Sequence, residues 1–356
     1  MITTGQKIAI QRTTKSRLPE TDLDQIKFGR TFSDHMVVMD YRDGAWQAPT
    51  IVPFGDLRMS PATLVLHYSQ TIFEGLKAYK GEGGQVNLFR PQANIARMNR
   101  STHRMCMPHI PEDVFLEALV ELVRLDKDWI PQGEEAAMYI RPFMFASDEY
   151  IGVRPSESYR FMIFTCPVRG YYKEAVRVKI ETEYSRAFPG GTGTAKCGGN
   201  YAGALYPAKL GQDKGFHQLV WTDAKEHRFI EESGTMNIFF HLGDKLVTPA
   251  LSGTILDGIT RDSIIEMARA EGITVEERPI TVAEIVAGLR NATLHEAFGT
   301  GTAATIAHIQ TIALGEEVFD LPALTDSSHS VHLGRKLDEI RRGAVADTRG
   351  WLVNVA

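Results

Sequence analysis

Two short stretches of this chain carry residue types suited to covalent and acid-base chemistry. In Gly190-Gly-Thr-Gly-Thr-Ala-Lys196-Cys-Gly-Gly-Asn-Tyr201-Ala-Gly203, one lysine stands among six glycines. Glycine loses more conformational freedom on folding than other residues, so a tract this dense implies turns at positive φ or close approach of a ligand to the backbone. Spacing excludes two phosphate loops. A P-loop needs Gly-Lys-Ser/Thr, whereas Ala195 precedes the lysine and Cys197 follows it; in a dinucleotide fingerprint Lys196 would take the place of the third glycine. A lysine in a dry loop can instead lose its proton and form a Schiff base. Taken alone, such a loop is more often a solvated turn. The second stretch, Phe229-Ile-Glu231-Glu232-Ser-Gly-Thr235-Met-Asn-Ile-Phe-Phe240, adds carboxylates, a turn and an apolar strand. Neighbouring residues of a strand point to opposite faces, so only one of Glu231 and Glu232 can reach a buried ring.

Together these residues resemble the signatures Lys-x-Gly-Gly-Asn-Tyr and Glu-x-Gly-Thr-Met-Asn of the branched-chain amino acid aminotransferases, pyridoxal-phosphate enzymes of fold type IV. The resemblance runs from about Phe28 to Ile312 and takes in Phe73-Glu-Gly75, Tyr139-Ile-Arg141-Pro and Gly299-Thr-Gly-Thr302-Ala in the family's order. It implies an α+β fold of two domains, a smaller N-terminal α/β domain and a larger C-terminal one with a β-barrel-like sheet. It implies that Lys196 binds pyridoxal 5'-phosphate and serves as the catalytic base, that Glu232 keeps the pyridine nitrogen protonated, and that Tyr201 donates to the phenolic oxygen. Arg97, the amides of Ile259 and Thr260, and Thr302 are the implied phosphate ligands, and Thr235 borders cofactor and substrate alike.

For the substrate, the resemblance implies a pocket of Phe32, Tyr68, Phe73, Tyr139, Tyr171 and Thr235 around leucine, isoleucine or valine. Arg141 would take the second carboxylate of glutamate, and the Thr302 and Ala303 amides with Tyr68 the α-carboxylate. The implied reaction is ping-pong transamination with 2-oxoglutarate, in a homodimer whose partners are small amino acids and 2-oxo acids. Vertebrate members carry a CxxC pair where this chain has Ala304 and Ala307, so thiol-based redox control is not expected here. D-amino acid aminotransferases and aminodeoxychorismate lyases share a similar lysine and glutamate but are shorter; Phe32 to Met36 and the Tyr139-Arg141 pair favour the branched-chain group. A cofactor-binding protein without turnover is the alternative from another class.

The elements that must position these residues are legible in outline. Residues 28 to 60 alternate short β-rich runs with turns, and Leu76 to Tyr79 with Val86 to Phe89 form a hairpin around Gly81 to Gly84. Pro91 suits the first turn of a helix reaching Met105, in which Ile95, Met98 and Met105 face inward with Arg97 among them. On its own, such an arginine is usually solvated. Pro111 to Trp129 repeats apolar residues at helical spacing. Met138 to Phe145 alternates, placing Tyr139, Arg141, Phe143 and Phe145 on one face; without the resemblance, Arg141 reads as an edge ion pair and Tyr68 and Phe73 as core aromatics. Further on, the pattern predicts a strand over Val176 to Thr182 and a helix over Tyr201 to Leu210 with Asn200 as its cap. A meander covers Leu219 to Thr248, and a helix opened by Thr260 runs to Glu271. Thr281-Val-Ala-Glu284 reads as a capping box, and the tail after Gly334 as a helix over Arg335 to Arg342 with a frayed end.

At 356 residues the chain suits two domains. We expect an N-terminal arm over 1–27, a small domain over 28–166, a linker over 167–175 and the cofactor domain over 176–356. A composition of 43% apolar and 23% charged residues with net charge −5 fits a small-molecule enzyme and offers no basic excess for nucleic acid. The three cysteines are widely spaced and the eleven histidines form no ligand motif, so neither a disulfide framework nor a metal site is expected. That cysteine usage makes a reducing cytoplasm the expected home, and no apolar run approaches the ~20 residues of a membrane span. The first nineteen residues hold Lys7, Arg12, Lys15 and Arg17 without an acid; they read as a basic arm or as a targeting segment.

Overall fold

In the computed structural model, which describes residues 8–170 and 174–355, the chain divides into two units. One comprises Met1–Tyr171, Ala195–Gly199 and Glu339–Ala356, the other Tyr172–Thr194 and Asn200–Asp338. This partition differs from the expected boundaries at three places. The strand Tyr159–Arg169 runs through the first residues of the expected linker, and both the lysine segment and the C-terminal residues group with the first unit. The lysine segment does so through hydrogen bonds: Cys197 bridges Ile72, and Phe73 N donates to the Lys196 carbonyl at 3.0 Å.

The first unit is built on a ten-stranded sheet. Its order is Ala9–Ile10, Thr50–Pro53, His35–Arg42, Tyr159–Arg169, Ala136–Ala146, Leu76–Lys80, Val86–Phe89 and Leu352–Asn354. Off this path, Ala45–Trp46 pairs onto His35–Arg42 and Thr71–Phe73 onto Ala136–Ala146. The helices Pro91–Arg104 and Glu112–Leu125 bury Ile95, Met98, Phe115, Leu119 and Leu122 in one core with Met138, Ile140, Phe161 and Ile163 of the sheet. Each such side chain contributes about 1.5–3 kcal/mol when removed from water, which is what holds the helix of Arg97 against the strands. The tail is not frayed as expected. Leu352, Val353 and Asn354 pair antiparallel with Phe89, Leu88 and Asn87, and Trp351 is buried edge-on to Phe89.

In the second unit, nine strands form one sheet, and six of them close on themselves. Around the ring these are Ile230–Ser233, Gln218–Thr222, Val176–Ile180, Thr305–Leu314, Leu294–Gly301 and Met236–Leu242, the last pairing back onto the first. Val176–Ile180 is parallel to both its neighbours, and the other pairs are antiparallel. Val178, Val220, Ile230, Ile238, Phe240 and Ala307 pack in its core.

Several helix ends differ from the sequence expectation. The predicted helix from Tyr201 is two, Gly198–Gly203 and Leu205–Asp213, and Asn200 lies inside the first with its side-chain amide bonded to Thr192 rather than acting as a cap. Thr260 is not a cap either: the helix is Ile259–Ala270, its N-cap is Gly258, and no side chain caps it. Thr281 does accept from Glu284 N at 3.1 Å, but the Glu284 carboxylate turns to Arg278, so only half of the capping box forms. The last helix begins at His329 rather than at Arg335. Among the described residues, no helix is long and apolar enough to cross a membrane.

Candidate active site

In the first unit, Lys196 is held as if on an added strand. Its carbonyl accepts from Phe73 N, its own N donates to Ser101 Oγ at 2.9 Å, and its Nζ lies 5.0 Å from the Phe73 ring centroid. The Arg141 guanidinium stands 4.8 Å from the same ring and 5.3 Å from that of Tyr139, and its Nη2 donates to the Tyr139 hydroxyl at 3.0 Å. Lys196, Phe73, Tyr139 and Arg141 are thus brought together. Gly75 is required here, because a Cβ would collide with the Tyr139 hydroxyl. Among the described residues, Arg141 Nε is buried without a hydrogen-bond partner, an arrangement that costs free energy until an acceptor arrives.

Arg97 is buried and faces Glu74. Nε and Nη2 of the arginine fork onto Oε1 and Oε2 at 2.7 and 2.8 Å, and the carboxylate also accepts from Asn94 Nδ2 at 2.8 Å and Gly75 N at 3.1 Å. Burial alone would push the Glu74 carboxyl up. The Arg97 charge and fork, then the Lys196 charge and the Asn94 bond, outweigh it and hold Glu74 below the usual carboxylate range.

Phe32 stacks on Phe54 at 4.9 Å and meets Phe164 edge-on at 5.5 Å, in an aromatic cluster that continues through Phe143, the sheet partner of Phe73. Tyr68 ends the short helix Val65–Tyr68 and is exposed beside His67. Tyr171 lies outside the described residues. Phe28, absent from the expected set, packs edge-on against Tyr139 at 5.2 Å.

In the second unit, Glu232 is buried on the strand Ile230–Ser233. Its Oε1 accepts from Leu256 N at 2.7 Å and its Oε2 lies 3.0 Å from Arg186 Nε. That nitrogen is not aligned as a hydrogen bond, so the contact is an ion pair. Glu231 differs: burial pushes its carboxyl up, against the bond from Thr254 Oγ1 and the Arg186 charge, and its Oε2 has no partner. The loop between them and the helix Ile259–Ala270 is pinned further by Asn237 Nδ2 on the Leu256 carbonyl at 2.9 Å. With no side-chain cap, the first-turn amides of Ile259 and Thr260 offer an anion the positive end of the helix. Thr235 follows Gly234, whose φ of 57° makes the turn between two strands. Asn237 pairs with Thr300 in antiparallel register, so Thr235 and Thr302 lie just beyond the same end of that pair, with Ala303 next in the turn. Tyr201 is half-buried in the helix Gly198–Gly203.

Sequence reasoning missed Glu74, Asn94, Ser101, Phe28 and Arg186. Glu74 lay inside a recognised motif and could have been found there; for Arg186 and Ser101 no local pattern gave a signal. Among the described residues, no group of three metal-ligating side chains is placed to hold an ion.

Residues 71–312 match the family model described as amino-transferase class IV. That match, on a fold with a closed six-strand sheet, defines an enzyme of the class IV aminotransferases, whose cofactor is pyridoxal 5'-phosphate. Branched-chain-amino-acid aminotransferase 2 of Bacillus subtilis (strain 168) is 44% identical over 361 residues, which cover 99% of this chain and 98% of that protein. The branched-chain-amino-acid aminotransferase of Mycobacterium tuberculosis (strain ATCC 25618 / H37Rv) is 42% identical over 345 residues, 94% of each. Among solved structures, the branched-chain aminotransferase of the thermophilic archaeon Thermoproteus uzoniensis with norvaline aligns at a TM-score of 0.74 and 26% identity over 90% of this chain and 100% of that one. The branched-chain amino acid aminotransferase of Thermobaculum terrenum in its PLP form aligns at 0.73 and 20% identity over 91% and 98%, a likeness of fold. The chain belongs to the branched-chain-amino-acid aminotransferase family.

Its residues fit the cofactor. The second unit offers an uncapped helix start for a phosphate, a buried carboxylate for a ring nitrogen, and two buried hydroxyls, Ser233 Oγ and Thr300 Oγ1, that find no partner among the described residues.

Proposed function

We propose that this chain moves the amino group of L-leucine, L-isoleucine or L-valine onto 2-oxoglutarate, giving the branched 2-oxo acids and L-glutamate in two alternating half-reactions. Bound pyridoxal phosphate supplies an aldehyde that takes up the amino group and a ring that accepts the electron pair of the broken Cα–H bond. The Lys196 amine would hold the cofactor and would serve as the base that carries the proton from the substrate Cα. Glu232, paired with Arg186 and accepting from the Leu256 amide, would hold the proton on the pyridine nitrogen. Arg97, Thr302 and the Ile259 and Thr260 amides take the phosphate, Tyr201 the phenolic oxygen, and the Thr302 and Ala303 amides the α-carboxylate.

One observation carries the two-substrate reading. Arg141, with a buried Nε lacking an acceptor, stands against the rings of Phe73 and Tyr139, so one pocket presents apolar walls to an aliphatic chain and a cation to a carboxylate. The test adds each amino acid in turn to purified holoenzyme, follows conversion of the cofactor to its amine form, and then adds 2-oxoglutarate. Leucine, isoleucine, valine and glutamate are expected to convert it, 2-oxoglutarate to restore it, and Lys196→Ala to lose at least about a hundredfold in turnover. Conversion by D-alanine but not by leucine would place the chain elsewhere in class IV.

A further inference from the structure

Glu74 is a fully buried carboxylate that, among the described residues, accepts two hydrogen bonds from Arg97, one from Asn94 Nδ2 and one from Gly75 N. Oε2 takes three of these bonds and Oε1 the fourth, and with the side chain fully buried neither oxygen is exposed to a ligand. It therefore acts through what it holds. Asn94 and Arg97 lie three residues apart on one face of the helix Pro91–Arg104, and Glu74 grips both. The fork engages the Nε–Nη2 edge of the guanidinium, which leaves the Nη1 end to face away from the carboxylate. An arginine side chain has many rotamers; one bidentate partner in a dry site reduces them to one orientation.

We propose that Glu74 is a positioning residue that fixes the Arg97 guanidinium in the orientation that receives the cofactor phosphate, so that the advantage of phosphorylated over unphosphorylated cofactor depends on a carboxylate that touches neither. This rests on the reading that Arg97 takes the phosphate. Glu74 is held anionic by Arg97 and Lys196 against its burial, so the partner of Arg97 is a charge and not a neutral acid. Replacing it with an amide puts a donor where one edge of the fork needs an acceptor, and Arg97 loses its fixed edge.

The experiment measures equilibrium binding of pyridoxal 5'-phosphate and of pyridoxal to the full chain after resolution of its cofactor, in wild type, Glu74→Gln, Arg97→Gln and the double variant. Thermal melting confirms the fold of each. Glu74→Gln is expected to reduce the phosphate-to-pyridoxal affinity ratio by about ten- to a hundredfold, the scale of charge-assisted bonds, with pyridoxal affinity little changed. The double variant is expected to lose no more than Arg97→Gln alone, because both changes remove one interaction. A purely structural role would weaken both ligands alike. Asn94→Ala, which keeps both charges and removes one bond to Glu74, is expected to lower the ratio by a smaller factor and serves if Glu74→Gln does not fold. The proposal is overturned by an unchanged ratio in whichever of these two folds, or by single losses that multiply in the double variant. It falls too if Arg97→Gln leaves the ratio unchanged. In that last case a wild type that still binds the phosphorylated cofactor keeps the function reading, whereas a wild type that binds neither compound sinks both.

Discussion

Arg141 is the residue on which substrate range turns. Its guanidinium is braced by two rings and one tyrosine hydroxyl, and its Nε is buried without an acceptor. A carboxylate arriving there gains charge-assisted bonds worth about 1.5–3 kcal/mol, whereas an aliphatic chain gains only burial. Arg141→Ala is therefore expected to lower kcat/KM for glutamate on the order of ten- to a hundredfold and to leave leucine within a few-fold. Equal losses for both, measured in the two half-reactions separately, would remove the dual-substrate argument. Cys166 provides a contrast at the same scale: burial pushes its thiol up to about 11, so it stays a neutral core residue at physiological pH. Lys196, Arg141 and Glu232 were visible in the sequence because glycines, aromatics and a turn surround them within a few positions. That Arg97 spends one edge on Glu74 was not visible, because the partners are 23 positions apart and meet only when a helix docks on a sheet.

At the scale of elements, periodicity located the strands and helices well and their ends less well. Glu296, on the strand Leu294–Gly301, accepts from His329 N at 2.8 Å and from Ser330 N at 3.0 Å, capping a helix that begins 33 positions later. No local motif announces that start, which is why the sequence pattern yielded only the turns from Arg335 onward. The C-terminal strand has a similar explanation. Leu352–Asn354 is too short to declare itself, and it exists because Val86–Phe89 offers an open edge and because Trp351 is buried between the Arg90 and Arg349 guanidinia, each 5.1 Å from its ring. Trp351→Ala is expected to cost about 3–5 kcal/mol by urea denaturation, the usual range for deleting a buried aromatic side chain. A loss under about 1 kcal/mol would show that the strand adds little to stability.

For the whole molecule, the balance of buried ionisable groups sets the response to acid. His308 and His329 are held below their usual value of 6.5, in both cases chiefly by burial and for His329 also by the charge of His241. In the second unit Glu296 is held low as well: burial opposes ionisation, but the Ser330 and His329 donors outweigh it. For a histidine whose folded pKa is depressed, the unfolded chain binds more protons between the folded value and 6.5, so stability rises with pH across that window. A depressed carboxyl has the same sign below 4.5. The melting temperature is therefore expected to drop as pH falls from about 7.5 to 5.5, and His308→Gln to shrink that drop by about half, since two histidines share it. A flat wild-type profile over that range would contradict the assignment.

The sequence determined which chemistry to expect, through the order of its motifs and the family they resemble. A lysine among glycines, a carboxylate before a glycine turn and an arginine framed by aromatics are local facts, fixed by residue type and spacing. It also determined the mixed class of the fold, because hydrophobic periodicity is local too. Tertiary structure decided the rest: that the lysine segment adds to the sheet of the first unit, that six strands close into a ring, that Glu232 acquires Arg186 and that Arg97 acquires Glu74. These depend on contacts between residues far apart in the chain, whose energies exist only after burial has removed the water that would otherwise satisfy each charge.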